Sequence, residues 1–122
     1  MKKVLITDDE VEIVEFLSSF LRRKKVRVAV ATDGNKALEL FEEYGPDLML
    51  LDIGIPVFDG LKVLKHVKKR RPEVKVIMVT GKDDKDSVAQ ADKLGADGYI
   101  TKPLELSELY SVVSKYLTTD EG

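Results

Sequence analysis

The strongest constraint on this 122-residue chain is an alternation repeated five times. Each time, a short apolar run rich in β-branched residues precedes a longer stretch whose apolar residues recur at spacings of three and four. The short runs are Lys3 to Thr7, Val26 to Ala31, Asp47 to Leu51, Val74 to Val79 and Tyr99 to Thr101. The stretches between them predict helices from Glu10 to about Lys24, Asn35 to Tyr44, Leu61 to Arg70, Lys85 to Leu94 and Leu106 to Leu117. Strands joined through helices by short connections run parallel, with right-handed crossovers that lay helices on both faces of the sheet. Val4-Leu5-Ile6 and Leu48-Met49-Leu50-Leu51 are unbroken apolar runs, as strands covered on both sides require. The expected architecture is α/β, a doubly wound, parallel, five-stranded sheet in one domain over residues 1–118, with 119–122 as a polar tail or linker stub.

Composition removes several functional classes. With no cysteine, the chain has no disulfides, thiolate nucleophiles or Cys-ligated metal centres, and the single histidine, His66, builds no His-rich one. Any bound metal is expected to be oxygen-liganded. A net charge of −2 gives no case for direct nucleic-acid binding. The basic run Lys65 to Arg71 is expected to complement the dipole at the end of a helix stopped by Pro72. No apolar run approaches the roughly 18 residues of a membrane span, and the start of the chain has no signal-peptide character, so a cytoplasmic, membrane-free protein is expected. His66 is expected at the surface and not as a phosphorylated residue.

In a doubly wound sheet, function gathers beyond the carboxyl ends of the strands. Those ends here carry Asp8-Asp9-Glu10, Asp52, Thr80-Gly81 and Thr101-Lys102-Pro103. Either aspartate of the first pair would, alone, read as a helix cap. Thr80 alone reads as a strand former, and Tyr99 as a half-buried aromatic. Together, Asp8, Asp9 and Asp52 opposite a single Lys102 form a set that core packing does not require. Like charges brought so close raise one another's pKa and destabilise the fold unless a cation intervenes. A hard divalent ion such as Mg2+ offsets the excess, and a carboxylate nucleophile with a metal, a lysine and a hydroxyl suits phosphoryl transfer. Asp59 and Gly60 are expected to form a turn and cap for the third helix.

The motifs Ile6-Thr7-Asp8-Asp9-Glu10, Leu51 to Gly60, Val79-Thr80-Gly81 and Gly95 to Pro103 resemble those of response regulator receiver domains, the CheY-like switches of two-component signal transduction. The likeness covers nearly the whole chain. It implies the flavodoxin-like strand order 2-1-3-4-5, for which CheY is a standing example. It also implies that Asp52 accepts a phosphoryl group from the phosphohistidine of a sensor histidine kinase or a histidine phosphotransfer protein. Asp9, Asp52 and the Gly54 carbonyl would ligate Mg2+ directly, and Asp8 through water. Lys102 would hold a phosphoryl oxygen, Thr80 would close on another, and Tyr99 would turn inward as Thr80 moves. A cis peptide before Pro103 is implied as well. Output would pass through the face of the fourth helix, fifth strand and fifth helix, which carries Lys93, Asp97, Glu108 and Lys115. Val11 and Val14, near the acidic cluster, are read equally as a kinase contact or as scattered surface valines. The chain would be a phosphoacceptor and not an enzyme in the usual sense, as a monomer or a weak, phosphorylation-linked homodimer.

Four residues depart from the family pattern or stand beside the phosphoryl position. Val57-Phe58 stands where Gly-Met is commoner, Gly54 has no side chain beside the phosphoryl position, and Lys82 is a further neighbour of it. Other readings are weaker. A haloacid-dehalogenase-type phosphohydrolase expects a second aspartate two residues after the nucleophile, where this chain has Glu10 or Gly54. A flavin carrier would need a phosphate-receiving loop where Asp8-Asp9-Glu10 repels one. A phosphorylation-independent, receiver-like binding module would show an eroded acidic pocket, and this one is complete.

Overall fold

A computed structural model describes residues 1–55, 59–81 and 85–117. Val57, Phe58, Lys82 and the expected tail lie outside the described residues. Strands β1 (Lys3–Thr7), β2 (Arg27–Ala31), β3 (Leu48–Asp52), β4 (Lys75–Gly81) and β5 (Gly98–Lys102) alternate with α1 (Val11–Arg22), α2 (Gly34–Tyr44), α3 (Gly60–Arg70), α4 (Lys85–Lys93) and α5 (Leu106–Leu117). The sheet order is β2-β1-β3-β4-β5 and every neighbouring pair is parallel. This is the flavodoxin-like (βα)5 architecture. No helix among the described residues is long and apolar enough to cross a membrane.

Two apolar layers hold the sheet between them. Leu5, Met49, Leu51, Val76 and Met78 meet Ala37 and Phe41 of α2, Val63, Leu64 and Val67 of α3 and Ala91 of α4. Val4, Ile6, Leu48, Leu50, Ile77, Val79 and Ile100 face the other way, onto Leu17, Phe20 and Leu21 of α1 and Leu109 and Val113 of α5. Alternate residues of one strand thus feed opposite layers, and all five residues of β3 are buried. Helix α2 ends at Gly45, whose φ of 65° suits the left-handed turn that closes a helix.

The chain reverses direction across the sheet between β1 and β3, which creates the crevice where such folds place their ligands. Thr7 pairs with Leu51, so the next residues, Asp8 and Asp52, come level at that crevice. Strands β3, β4 and β5 each run further than their apolar runs suggest, because ladder pairs Asp52↔Val79, Thr80↔Thr101 and Gly81↔Lys102 continue the sheet. Asp52, Thr80 and Lys102 are therefore strand residues. Helix α1, in contrast, begins after Glu10 and ends at Arg22.

Asp97, expected on the output face, instead ties the base of the sheet together. Its Oδ2 accepts from Lys68 Nζ at 2.7 Å and from the Val76 amide at 2.8 Å, while Lys68 also reaches the Val74 carbonyl at 2.7 Å. The rest of the basic run is also largely structural, with Arg70 and Arg71 both on Glu42. Asp97→Ala removes the acceptor of the Val76 amide and leaves the Lys68 ammonium with carbonyl partners but no carboxylate, and is expected to cost about 1–3 kcal/mol in urea unfolding.

Candidate functional site

Asp8 immediately follows β1 and is 1% exposed. Its Oδ1 accepts the Glu10 amide at 2.9 Å, while its Oδ2, 3.3 Å from Lys102 Nζ, is buried without a hydrogen bond. Asp52, the last residue of β3, is also buried. Its Oδ1 accepts the Gly54 amide at 3.1 Å and its Oδ2 lies 3.4 Å from Lys102 Nζ. Lys102 ends β5 and reaches back across the crevice, so one ammonium answers both aspartates and also Glu10 at 2.5 Å. The Lys102–Pro103 peptide is cis.

Charge is the dominant physics of this cluster. Burial raises the pKa of Asp8, the Glu10 amide opposes that, and the charge of Asp52 adds to the rise against the attraction of Lys102. Burial works against the Lys102 ammonium, but its bond to Glu10 and the charges of Asp52 and Asp8 outweigh it and hold its pKa well above the ordinary value. Carboxylate oxygens of Asp8, Glu10 and Asp52 lie within 4.8 Å of one another. Three carboxylates around one ammonium, with an unbonded buried oxygen among them, fit an oxygen-liganded divalent cation.

Asp9 is exposed, and the carboxylate grouped with Asp8 and Asp52 is that of Glu10. Sequence reasoning placed Glu10 at the end of the first strand and the start of the first helix, but not among the carboxylates set opposite Lys102. It does occupy the N-cap of α1, but its side chain makes no capping bond, and neither aspartate caps the helix. Gly54 is exposed, and a Cβ built there would meet nothing within 4 Å. Gly60 is the opposite case, since a Cβ would lie 2.3 Å from the Asp52 carbonyl oxygen and 2.7 Å from the Ile53 Cα. Asp59 caps α3 as expected, accepting from the Lys62 amide at 3.0 Å. Thr7 also went unnoticed: its buried hydroxyl has no hydrogen-bond partner.

Thr80 is buried, with its hydroxyl 3.3 Å from the Gly81 carbonyl. Tyr99 is half-buried, and its hydroxyl donates toward the Val88 carbonyl or Asp92 Oδ1 of α4, each at 3.4 Å. Burial first, and then Asp92, pushes the Tyr99 phenol up. Thr80 and Tyr99 line one cleft of about 450 Å³ against α4. Val11 is 70% exposed beside the acidic cluster, while Val14 packs partly against the α1 layer. His66 lies on α3, edge-on to Phe41 and 3.6 Å from Glu42, remote from the cluster.

A model of the response regulator receiver domain matches residues 4–114. Among solved structures, a CheY-like receiver domain protein from Methanospirillum hungatei is 31% identical, with a TM-score of 0.89 over 96% of this chain and 94% of that one. The receiver domain of NtrX from Brucella abortus is likewise 31% identical, with a TM-score of 0.87 over 96% and 99% of the two chains. Against a longer NtrX chain the match covers 94% of this sequence but only 27% of that protein.

Proposed function

The chain belongs to the response regulator receiver family, whose general function is a phosphorylation switch, and on that premise we propose that Asp52 accepts a phosphoryl group from a phosphohistidine in a Mg2+-dependent reaction. The observation that carries this reading is the convergence of buried Asp8 and Asp52 on Lys102 at the switch point of the sheet. A carboxylate oxygen of Asp52 forms the new O–P bond as the P–N bond breaks. The electron pair leaves on the imidazole nitrogen, which takes a proton. The Gly54 amide orients the Asp52 carboxylate, and Lys102 is placed to bind a phosphoryl oxygen. Asp9, Asp52 and the Gly54 carbonyl would hold Mg2+ directly and Asp8 through water. The bound ion would neutralise charge on the transferred group.

After transfer, Thr80 closes on a phosphoryl oxygen and Tyr99 turns inward, exchanging its contacts with α4 and altering the face of α4, β5 and α5. The donor is a sensor histidine kinase or histidine phosphotransfer protein, and the recipient is an output domain or protein that reads that face. The protein itself acts once per phosphorylation, as a cytoplasmic phosphoacceptor and not a turnover enzyme.

Intact-protein mass after incubation with Mg2+ and acetyl phosphate tests the assignment. One phosphoryl adduct is expected, absent after chelation and absent in Asp52→Asn. An adduct of full strength in Asp52→Asn would refute the acceptor, and sustained release of phosphate far beyond one equivalent would favour a phosphohydrolase.

A further inference from the structure

Glu10 sits at the mouth of the cluster in a position that the phosphotransfer chemistry leaves unexplained. Its side chain is 58% exposed, whereas Asp8 and Asp52 beneath it are buried. A residue at a helix N-cap ordinarily spends its side chain on the free amides of the first turn. Glu10 does not; its carboxylate bonds Lys102, the group that an arriving phosphoryl oxygen must engage. The Asp8 carboxylate meanwhile grips the Glu10 amide and fixes the backbone from which that side chain extends. The ligand and the resident carboxylate therefore compete for one ammonium.

We infer that Glu10 is an electrostatic gate on Lys102, a positioning residue that slows phosphorylation of Asp52 by small anionic donors. This rests on Asp52 being the acceptor. To take up the phosphoryl group, Lys102 exchanges the Glu10 carboxylate for a phosphoryl oxygen, and Glu10 swings toward solvent, where its exposure leaves room. Until then a donor carrying two negative charges approaches a fixed negative charge whose partner cation is already engaged. Coulomb repulsion over several ångströms at the protein surface changes rates by single-digit to tenfold factors, and salt screens it.

The test compares wild type with Glu10→Gln and Glu10→Ala, measuring the rate of phosphoryl uptake by intact mass in Mg2+, with melting curves to confirm folding. Acetyl phosphate serves as the dianionic donor and phosphoramidate as one of lower charge. Both variants are expected to react about three- to tenfold faster than wild type with acetyl phosphate at low ionic strength. The gain should be smaller with phosphoramidate and should shrink as salt is added, which a merely structural effect would not do. Rates equal to or below wild type in both variants, or a gain indifferent to donor charge and salt, would overturn the gate while leaving Asp52 as acceptor. Failure of wild type itself to take up a phosphoryl group from either donor would instead remove the reading on which the gate rests, and the gate with it.

Discussion

In the metal-free protein, Asp8→Asn is expected to raise the thermal unfolding temperature and, in the same step, to abolish the further rise that Mg2+ brings. Asp8 is 1% exposed, and its Oδ2 has an ion-pair partner at 3.3 Å but no hydrogen bond. Asparagine keeps an oxygen for the Glu10 amide and removes a desolvated charge beside Asp52, while Lys102 retains Glu10 and Asp52 as partners. A gain of about 1–2 kcal/mol, or roughly 4–8 °C, follows. Bound Mg2+ would stabilise the wild type only through its preference for the folded site, and losing a carboxylate from that site would remove the increment.

The same residue sets a pH dependence whose sign can be worked out. Because folding raises the pKa of Asp8 above 3.8, its contribution to stability is fully present below that value and is lost as pH rises through the folded pKa. Acidification through the folded pKa should therefore favour the wild-type fold through this group, and Asp8→Asn should flatten that segment of the curve. Lys102, also raised, keeps its full contribution below 10.5 and loses it only at more alkaline pH. A melting temperature that falls in Asp8→Asn, or one that still climbs with Mg2+, would contradict this account.

Much of this site was legible because alternation fixes topology, and topology fixes which residues share an edge. Asp8, Asp52, Thr80 and Lys102 could be placed together without any knowledge of side-chain conformation, since parallel strands bring all their carboxyl ends to one side. The reach of each strand was less legible. Nothing local in Gly81 or Lys102 signals strand, and those two residues extend the sheet because they pair with each other. Glu10 and Lys102 lie 92 residues apart, and Glu10 viewed in its own segment looks like the start of a helix. The bonds of Asp97 were hidden for the same reason: its partners, Lys68 and the Val76 amide, belong to other elements. Local pattern predicts elements well and predicts long-range polar pairing poorly, because that pairing depends on which side chains the completed fold brings within about 3 Å.

Gly60→Ala is expected to destabilise the protein by about 3 kcal/mol or more and to impair phosphorylation beyond what unfolding explains. The sequence suggested a turn-and-cap role, but Asp59 alone supplies the cap. What demands glycine is space: an added Cβ would lie 2.3 Å from the carbonyl oxygen of Asp52, 2.7 Å from Ile53 Cα and 3.0 Å from the Asp52 carbonyl carbon. All three are backbone atoms, so no side chain can swing aside to relieve the clash. Either α3 retreats, loosening Val63, Leu64 and Val67 from the core, or the end of β3 moves and carries Asp52 with it. The bond from the Gly60 amide to the Ile53 carbonyl, 2.9 Å, makes separate movement of the two segments costly. Gly54→Ala is the matched control for stability, a Cβ added into open space, and should leave the unfolding free energy within about 0.5 kcal/mol of wild type. If Gly60→Ala instead keeps wild-type stability and phosphoryl uptake, the close approach of α3 to Asp52 does not constrain the site. If it loses both while Gly54→Ala keeps its stability, the backbone packing beneath Asp52 is what sets the position of its carboxylate.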